Sequence, residues 1–294
     1  MQRGFSLVEM VISITLIGVL AVMAAPMLRL PLAAWSEATQ RSELVQAAEL
    51  INSQLATDLQ RALPGSARVR SVGTRVLLEF LEVRATGRHR AGLSLAAQQC
   101  PALCSLPGNN DALETGCPET CFTSLGPLEG DPPVVGSDWI VVNPQGPGVP
   151  GGDPWFGGNA AVAGGIKVRL TALQAVPEGQ RLRHGAHIFT AVAPSRRFYI
   201  VAAPVSWDCN PAAGTLTRAS GYAIAANQPV AFGGATSSAV LDRGVAACGF
   251  TVTAGGGDTS GTVSVRVQLQ RAAPGATTVE RFELVAQYAL PGGS

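Results

Sequence analysis

From Phe5 to Leu28 the chain reads FSLVEMVISITLIGVLAVMAAPML, an apolar run of 24 residues interrupted by one charge, Glu9. As an α-helix it would be about 36 Å long, enough to cross a bilayer with some tilt. Few folds can absorb such a segment. A buried core helix of that length would carry polar positions. A cleavable secretory signal would have a shorter apolar region and a clear small-residue cleavage site, which Ala24-Ala25-Pro26 does not supply. The segment is therefore read as membrane-spanning. A carboxylate at membrane depth costs roughly 2.5 to 3.5 kcal/mol even on lenient insertion scales, so Glu9 needs a partner that the run itself does not contain.

Beyond the run, charge is scarce. Asp, Glu, Lys and Arg make up 14% of the residues, the formal net charge is +1 and no polybasic stretch occurs, which argues against electrostatic capture of nucleic acid. The 34 Gly and 20 Pro point instead to a turn-rich domain with short strands.

Pro26 and Pro31 each remove a backbone donor and permit the helix to bend as it leaves the bilayer. From about Ser36, Leu44, Ala48, Ile51, Leu55 and Leu59 recur at helical spacing as one apolar stripe, and Glu37 and Arg41 are placed for a surface pair. The stripe is expected to pack on the protein's own sheet rather than in a separate coiled coil, with the helix ending at Leu63-Pro64-Gly65. The period then changes to two. Strands are expected over Val76–Val83, Trp139–Val142, Ile166–Leu170, His187–Val192, Phe198–Ala203 and Gly249–Thr253. Val263, Val265, Val267 and Leu269, followed by Phe282, Leu284, Ala286 and Tyr288, predict an antiparallel hairpin with one buried face. Between Cys100 and Pro154 the many Gly, Pro and Asn residues read as long loops inserted in the sheet domain.

Four of the six cysteines, Cys100, Cys104, Cys117 and Cys121, form C-x3-C-x12-C-x3-C; the others are Cys209 and Cys248. Beyond a membrane anchor, outside the cytoplasm, thiols are oxidised. All six are therefore disulfide candidates, with Cys209 to Cys248 joining two strands and the quartet closed on itself; a four-thiolate zinc site is the alternative for the quartet. His184 and His187 stand three apart but in an expected strand or turn, with no acidic residue nearby in sequence, so they read as surface or strand-end histidines. Gly255–Gly261 and Gly108–Asp111 read as turns rather than calcium loops. The sequence holds no Walker loop, G-x-S-x-G elbow, H-E-x-x-H or phosphate-binding glycine loop. No catalytic, cofactor-binding or metal-binding residue is expected.

The junction Arg3-Gly4-Phe5-Ser6-Leu7-Val8-Glu9 resembles the cleavage and methylation signature of type IV pilin-like proteins. That resemblance implies a leader at 1–4, cleavage after Gly4 by a prepilin peptidase, N-methylation of Phe5, and a contact between the Phe5 ammonium of one subunit and Glu9 of another. At about 4 Å and an effective dielectric near 20 such a pair is worth roughly 4 kcal/mol, comparable to the burial cost, so it selects register more than it adds stability. Gly at the cut lets the peptidase approach the backbone.

The implied organisation is a spanning helix at 5–28, an amphipathic helix at 29–65 and a periplasmic β-rich domain at 66–294 with a loop region inserted at about 96–160. The implied fold class is α+β: a long N-terminal helix, membrane-spanning then amphipathic, packed on an antiparallel β-sheet domain with long loops. The phrases Pro194–Phe198 and Asp208–Arg218 are similar to those of MshO-type minor pilins of the mannose-sensitive haemagglutinin (MSHA) system. The resemblance implies a single-pass inner-membrane protein, N-terminus cytoplasmic, sited at the pilus tip or in the filament. Its expected partners are prepilin peptidase, other minor and major pilins, the assembly platform and, before assembly, inner-membrane lipid. The alternatives are a minor pseudopilin of type II secretion or, in another class, a membrane-tethered periplasmic enzyme or metal-binding domain.

Overall fold

The computed structural model describes residues 6–90, 104, 112–160, 162, 164–253, 260–272 and 279–292. One helix, α1 (Leu7–Gln60), runs for 54 residues, through Pro26 and Pro31 without interruption. Its two parts bury differently. No residue of Leu7–Ala24 is buried, whereas Leu44, Ala48, Ile51, Leu55 and Leu59 are all buried, each Leu or Ile contributing about 1.5 to 3 kcal/mol by leaving water. The helix stops at Gln60, ahead of the expected Leu63-Pro64-Gly65. Backbone pairing ends it: Val83 N–H donates to the Arg61 carbonyl and Leu63 N–H to that of Leu81, so the departing chain is captured by a strand. Gly65 then takes φ +68°, where a Cβ would stand 2.7 Å from the Gln145 carbonyl oxygen, so only glycine fits.

Two antiparallel sheets follow. The larger is organised around β2 (Arg75–Arg88) and β8 (Arg197–Asn210), paired along their length. β1 (Arg68–Val72) and β4 (Glu129–Gly130) lie on the far side of β2. On the far side of β8 the sheet divides. β5 (Trp139–Val142) leads on through β6 (Lys167–Val176) and β7 (Gly179–His187) to the edge strand β3 (Glu119–Thr123), while β9 (Thr215–Ser220) leads to β10 (Ser237–Asp242). The smaller sheet is β11 (Val245–Thr253), β12 (Thr262–Ala272) and β13 (Val279–Ala289). The α+β class read from the sequence is the architecture found. The expected hairpin is present as β12–β13, with Val263 opposite Tyr288, Val265 opposite Ala286, Val267 opposite Leu284 and Leu269 opposite Phe282.

The helix stripe, Leu78 and Phe80 of β2, Val205 and Trp207 of β8, and Val263, Val265, Val267 and Leu269 of β12 form one core. The smaller sheet and one half of the larger therefore share the stripe. A second core, around Phe122, Ile140, Phe189 and Phe198, fills the other half of the larger sheet. On the opposite face Trp139, Trp155 and Tyr199 pack against Leu63 and Leu81.

Several expectations are corrected. His187–Val192 is not a strand; the strand is β7, which ends at His187, and Phe189 beyond it makes only an isolated bridge to Thr115. β7 reads GQRLRHGAH, and with one aliphatic residue it shows no apolar alternation, although Leu182 and His184 point inward. Arg41 pairs not with Glu37 but across to Glu280 of β13, at 3.4 Å, because the smaller sheet lies beside that face of the helix. The region read as long loops contains β3 as well as β5.

Candidate assembly site and its anchorage

Ser6 is the N-cap of α1 in extended geometry (φ −71°, ψ 142°), and Glu9 lies in the first turn. Their Ser-x-x-Glu spacing is that of a capping box, but the Ser6 side chain makes no cap hydrogen bond. Ser13 and Thr15 turn their hydroxyls back onto carbonyls of their own helix, Ser13 Oγ to Glu9 O at 2.7 Å and Thr15 Oγ1 to Val11 O at 3.0 Å. The flanks of Glu9 thus present carbon rather than unsatisfied donors, as an apolar surrounding requires. Leu7, Val8, Met10, Val11 and Ile12 are exposed around the carboxylate. Gly4 and Phe5 lie outside the described residues, and no described cation stands beside Glu9.

A helix that is apolar all round must be covered by lipid or by other helices, and whatever holds it transmits load to the domain through the join between α1 and the sheets. That join contains a buried clamp not evident in the sequence. Asp58 is 7% exposed. Its Oδ2 accepts from Trp207 Nε1 at 2.9 Å and from Arg218 Nε at 2.6 Å, and its Oδ1 accepts from Arg218 Nη2 at 3.0 Å. The bidentate geometry fixes both distance and orientation. Read alone, Asp58 is one polar residue on a polar helix face; only the register of β8 and β9 shows its role. Two further ties hold the sheets together: Arg271 of β12 to Asp242 of β10, and the disulfide from Cys209 on β8 to Cys248 on β11, with Cα atoms 6.4 Å apart.

In the quartet, Cys104 is joined to Cys121 with a Cα separation of 5.8 Å. Cys117 is also disulfide-bonded, and Cys100 lies outside the described residues. Cys104 and Cys121, so joined, have no thiolate to offer a metal. The segment Gly108–Asp111 and most of Gly255–Gly261 are outside the described residues. His184 and His187 are buried rather than at the surface, because Phe122 and Phe189 pack against them. Burial pushes His184 down to about 4, opposed by its bond to the Gly185 carbonyl, and pushes His187 down as well.

On the opposite face, Arg68 stacks 3.6 Å over Trp155 and pairs at 2.6 Å with Glu79, whose carboxyl is raised by burial despite that pairing. A cavity of about 440 Å³ is lined by Val149, Asp153, Phe156, Val162, Ile166, Lys167 and small residues. Lys167 donates to the carbonyls of Pro154 (3.0 Å) and Gly158 (2.6 Å), and burial lowers it to about 8. Asp153, also in the lining, accepts from the Gly148 and Trp155 backbone N–H groups, so the carboxylate and the ammonium of the cavity are both held by backbone.

The family model for the prokaryotic N-terminal methylation motif matches residues 1–25. The match supports a type IV pilin-like prepilin. It implies cleavage by prepilin peptidase and assembly with other pilins, and with the exposed apolar helix it is consistent with a single-pass inner-membrane anchor. It points to a structural pilin rather than an enzyme. No curated protein and no solved structure matches the chain.

Proposed function

We propose that this chain is a minor pilin: cut after Gly4, methylated at Phe5, held in the inner membrane with its N-terminus cytoplasmic, and incorporated with other minor pilins to initiate or cap an MSHA-like type IV pilus. The observation that carries the reading is the exposed apolar helix with one carboxylate, Glu9, inside a matched methylation motif. Lone charge and bare apolar surface are both resolved by one event, the packing of this helix among others whose terminal ammonium meets the carboxylate. Residues 1–4 are the leader, 5–28 the span, 29–65 the amphipathic part and 66–294 the periplasmic domain. The two-sheet domain, with long segments between its strands, supports a subunit at an end of the filament. The same anchor would serve a minor pseudopilin of type II secretion, and salt-resistant cofractionation with one assembly platform or the other separates the two machines.

Glu9→Ala tests the assignment. Membrane insertion and the disulfide-bonded domain should persist while copurification with other minor pilins and pilus number fall. Wild-type pilus number together with wild-type copurification would refute it.

A further inference from the structure

The chain contains three histidines, and all lie in one buried cluster: His89 is 0%, His184 4% and His187 2% exposed. His89 follows β2; His184 and His187 are at the end of β7. Phe122 of β3 sits between them, its ring centroid 6.3 Å from that of His89 and 6.2 Å from that of His184, and Phe189 lies 4.7 Å from His187. His89 Nδ1 is 3.0 Å from the Arg90 carbonyl and His184 Nδ1 2.7 Å from that of Gly185. A carbonyl only accepts, so both rings carry their proton on Nδ1 and have a bare lone pair on Nε2. Neither Nε2 has a hydrogen-bond partner among the described residues. His187 uses Nε2 on the Gly165 carbonyl at 2.8 Å.

A second proton on His89 or His184 would therefore place a cation among aromatic rings with no acceptor for it among the described residues. The nearby charges oppose it too: Arg196 acts on His89, and His187 on His184. The other charged groups on the surrounding elements are Glu119 on β3, opposite His187, Arg181 and Arg183 on β7, opposite Thr123 and Cys121, Arg88 and Arg197, paired between β2 and β8, and Glu114 and Arg90 in the flanking segments. β3 is the edge of the sheet, its ladder made with β7 alone, and just beyond it Ser124 bridges to His89 and Leu125 N–H donates to the Arg88 carbonyl. Lifting this strand brings the cluster to water and takes Phe122 out of the second core.

We propose that the histidine cluster makes β3 an acid-released edge: protonation of His184 detaches β3 and the Cys104–Cys121 crosslink it carries from β7, while the core beneath α1 stays folded. The sign follows from linkage. The closed form holds the imidazoles neutral and the open form has ordinary ones, so closure is fully favoured above pH 6.5 and weakens as pH falls toward about 4 for His184.

The test is hydrogen exchange on the full chain in detergent micelles at pH 7.5 and pH 5, corrected for intrinsic rates. Protection of β3 and of its partners in β7 should fall about 20-fold at pH 5, with α1 near Leu55 and β12 unchanged. His184→Phe should keep protection at pH 7.5 and reduce the acid loss to under about 3-fold. Equal protection at the two pH values in the wild type, or an undiminished acid loss in His184→Phe, would overturn the proposal. Should that variant fail to fold, carbon-13-labelled histidine signals of the wild type decide. Two of the three rings neutral at pH 5 support the proposal; all three titrating near the ordinary value overturn it.

Discussion

Asp58→Ala is the substitution that most directly probes how the domain is held to its helix. The carboxylate accepts from Trp207 Nε1, twice from Arg218 and from the half-buried Gln54 Nε2 at 3.2 Å, so its removal strands the indole and the guanidinium together and frees the Gln54 amide. Breaking a fully buried ion pair costs about 3 to 5 kcal/mol. The Arg218 side chain retains 20% exposure, so water reaches it and its share falls below that range. The fully buried Trp207 indole has no such relief and adds about 1 to 3 kcal/mol as an unsatisfied donor. The expected total is about 3 kcal/mol. Asp58→Asn, which keeps an acceptor for the indole and loses the charge, should cost about 2 kcal/mol. Urea unfolding of the full chain in micelles, followed by tryptophan fluorescence, should show a lower midpoint with an unchanged slope. A loss below about 0.5 kcal/mol for Asp58→Ala would place Asp58 among ordinary surface residues and refute the clamp. Pairing Asp58→Leu with Arg218→Met should recover much of the loss, since both charges are then gone.

Leu55→Ala, at a fully buried position of the stripe, should destabilise the domain by about 2 to 5 kcal/mol in the same assay and leave membrane insertion intact. Replacing Cys209 and Cys248 with alanine opens a crosslink across a separation of 39 residues. The unfolded chain regains freedom worth about 4 kcal/mol, and amide exchange in β11–β13 should rise before that in β2 and β8.

What could be read from the sequence was what repeats. Leu44 to Leu59 at helical spacing and Val263 to Leu269 at spacing two each put several aliphatic side chains on one face, and the structure buries both sets in one core. β1, β3, β4, β7, β9 and β10 were not legible. Runs such as RVRSV, TLTRAS and SSAVLD carry too few aliphatic residues to show a period, and their strand state comes from the neighbours they pair with. The buried histidines escaped for a related reason. Their environment is set in large part by Phe122, which is distant in sequence and arrives through the pairing of β3 with β7. Asp58 likewise acquires its partners from residues 149 and 160 positions away. Glu9 was visible at once, because a lone carboxylate in an apolar run is costly wherever the chain goes.

Mass spectrometry of the protein extracted from peptidase-competent membranes tests most directly whether the N-terminus is processed for packing among other helices. The first residue should be Phe5 bearing one added methyl group on its amine, and the same preparation from cells lacking the peptidase should begin upstream of Gly4. An unprocessed terminus retaining Met1 in both preparations would contradict it.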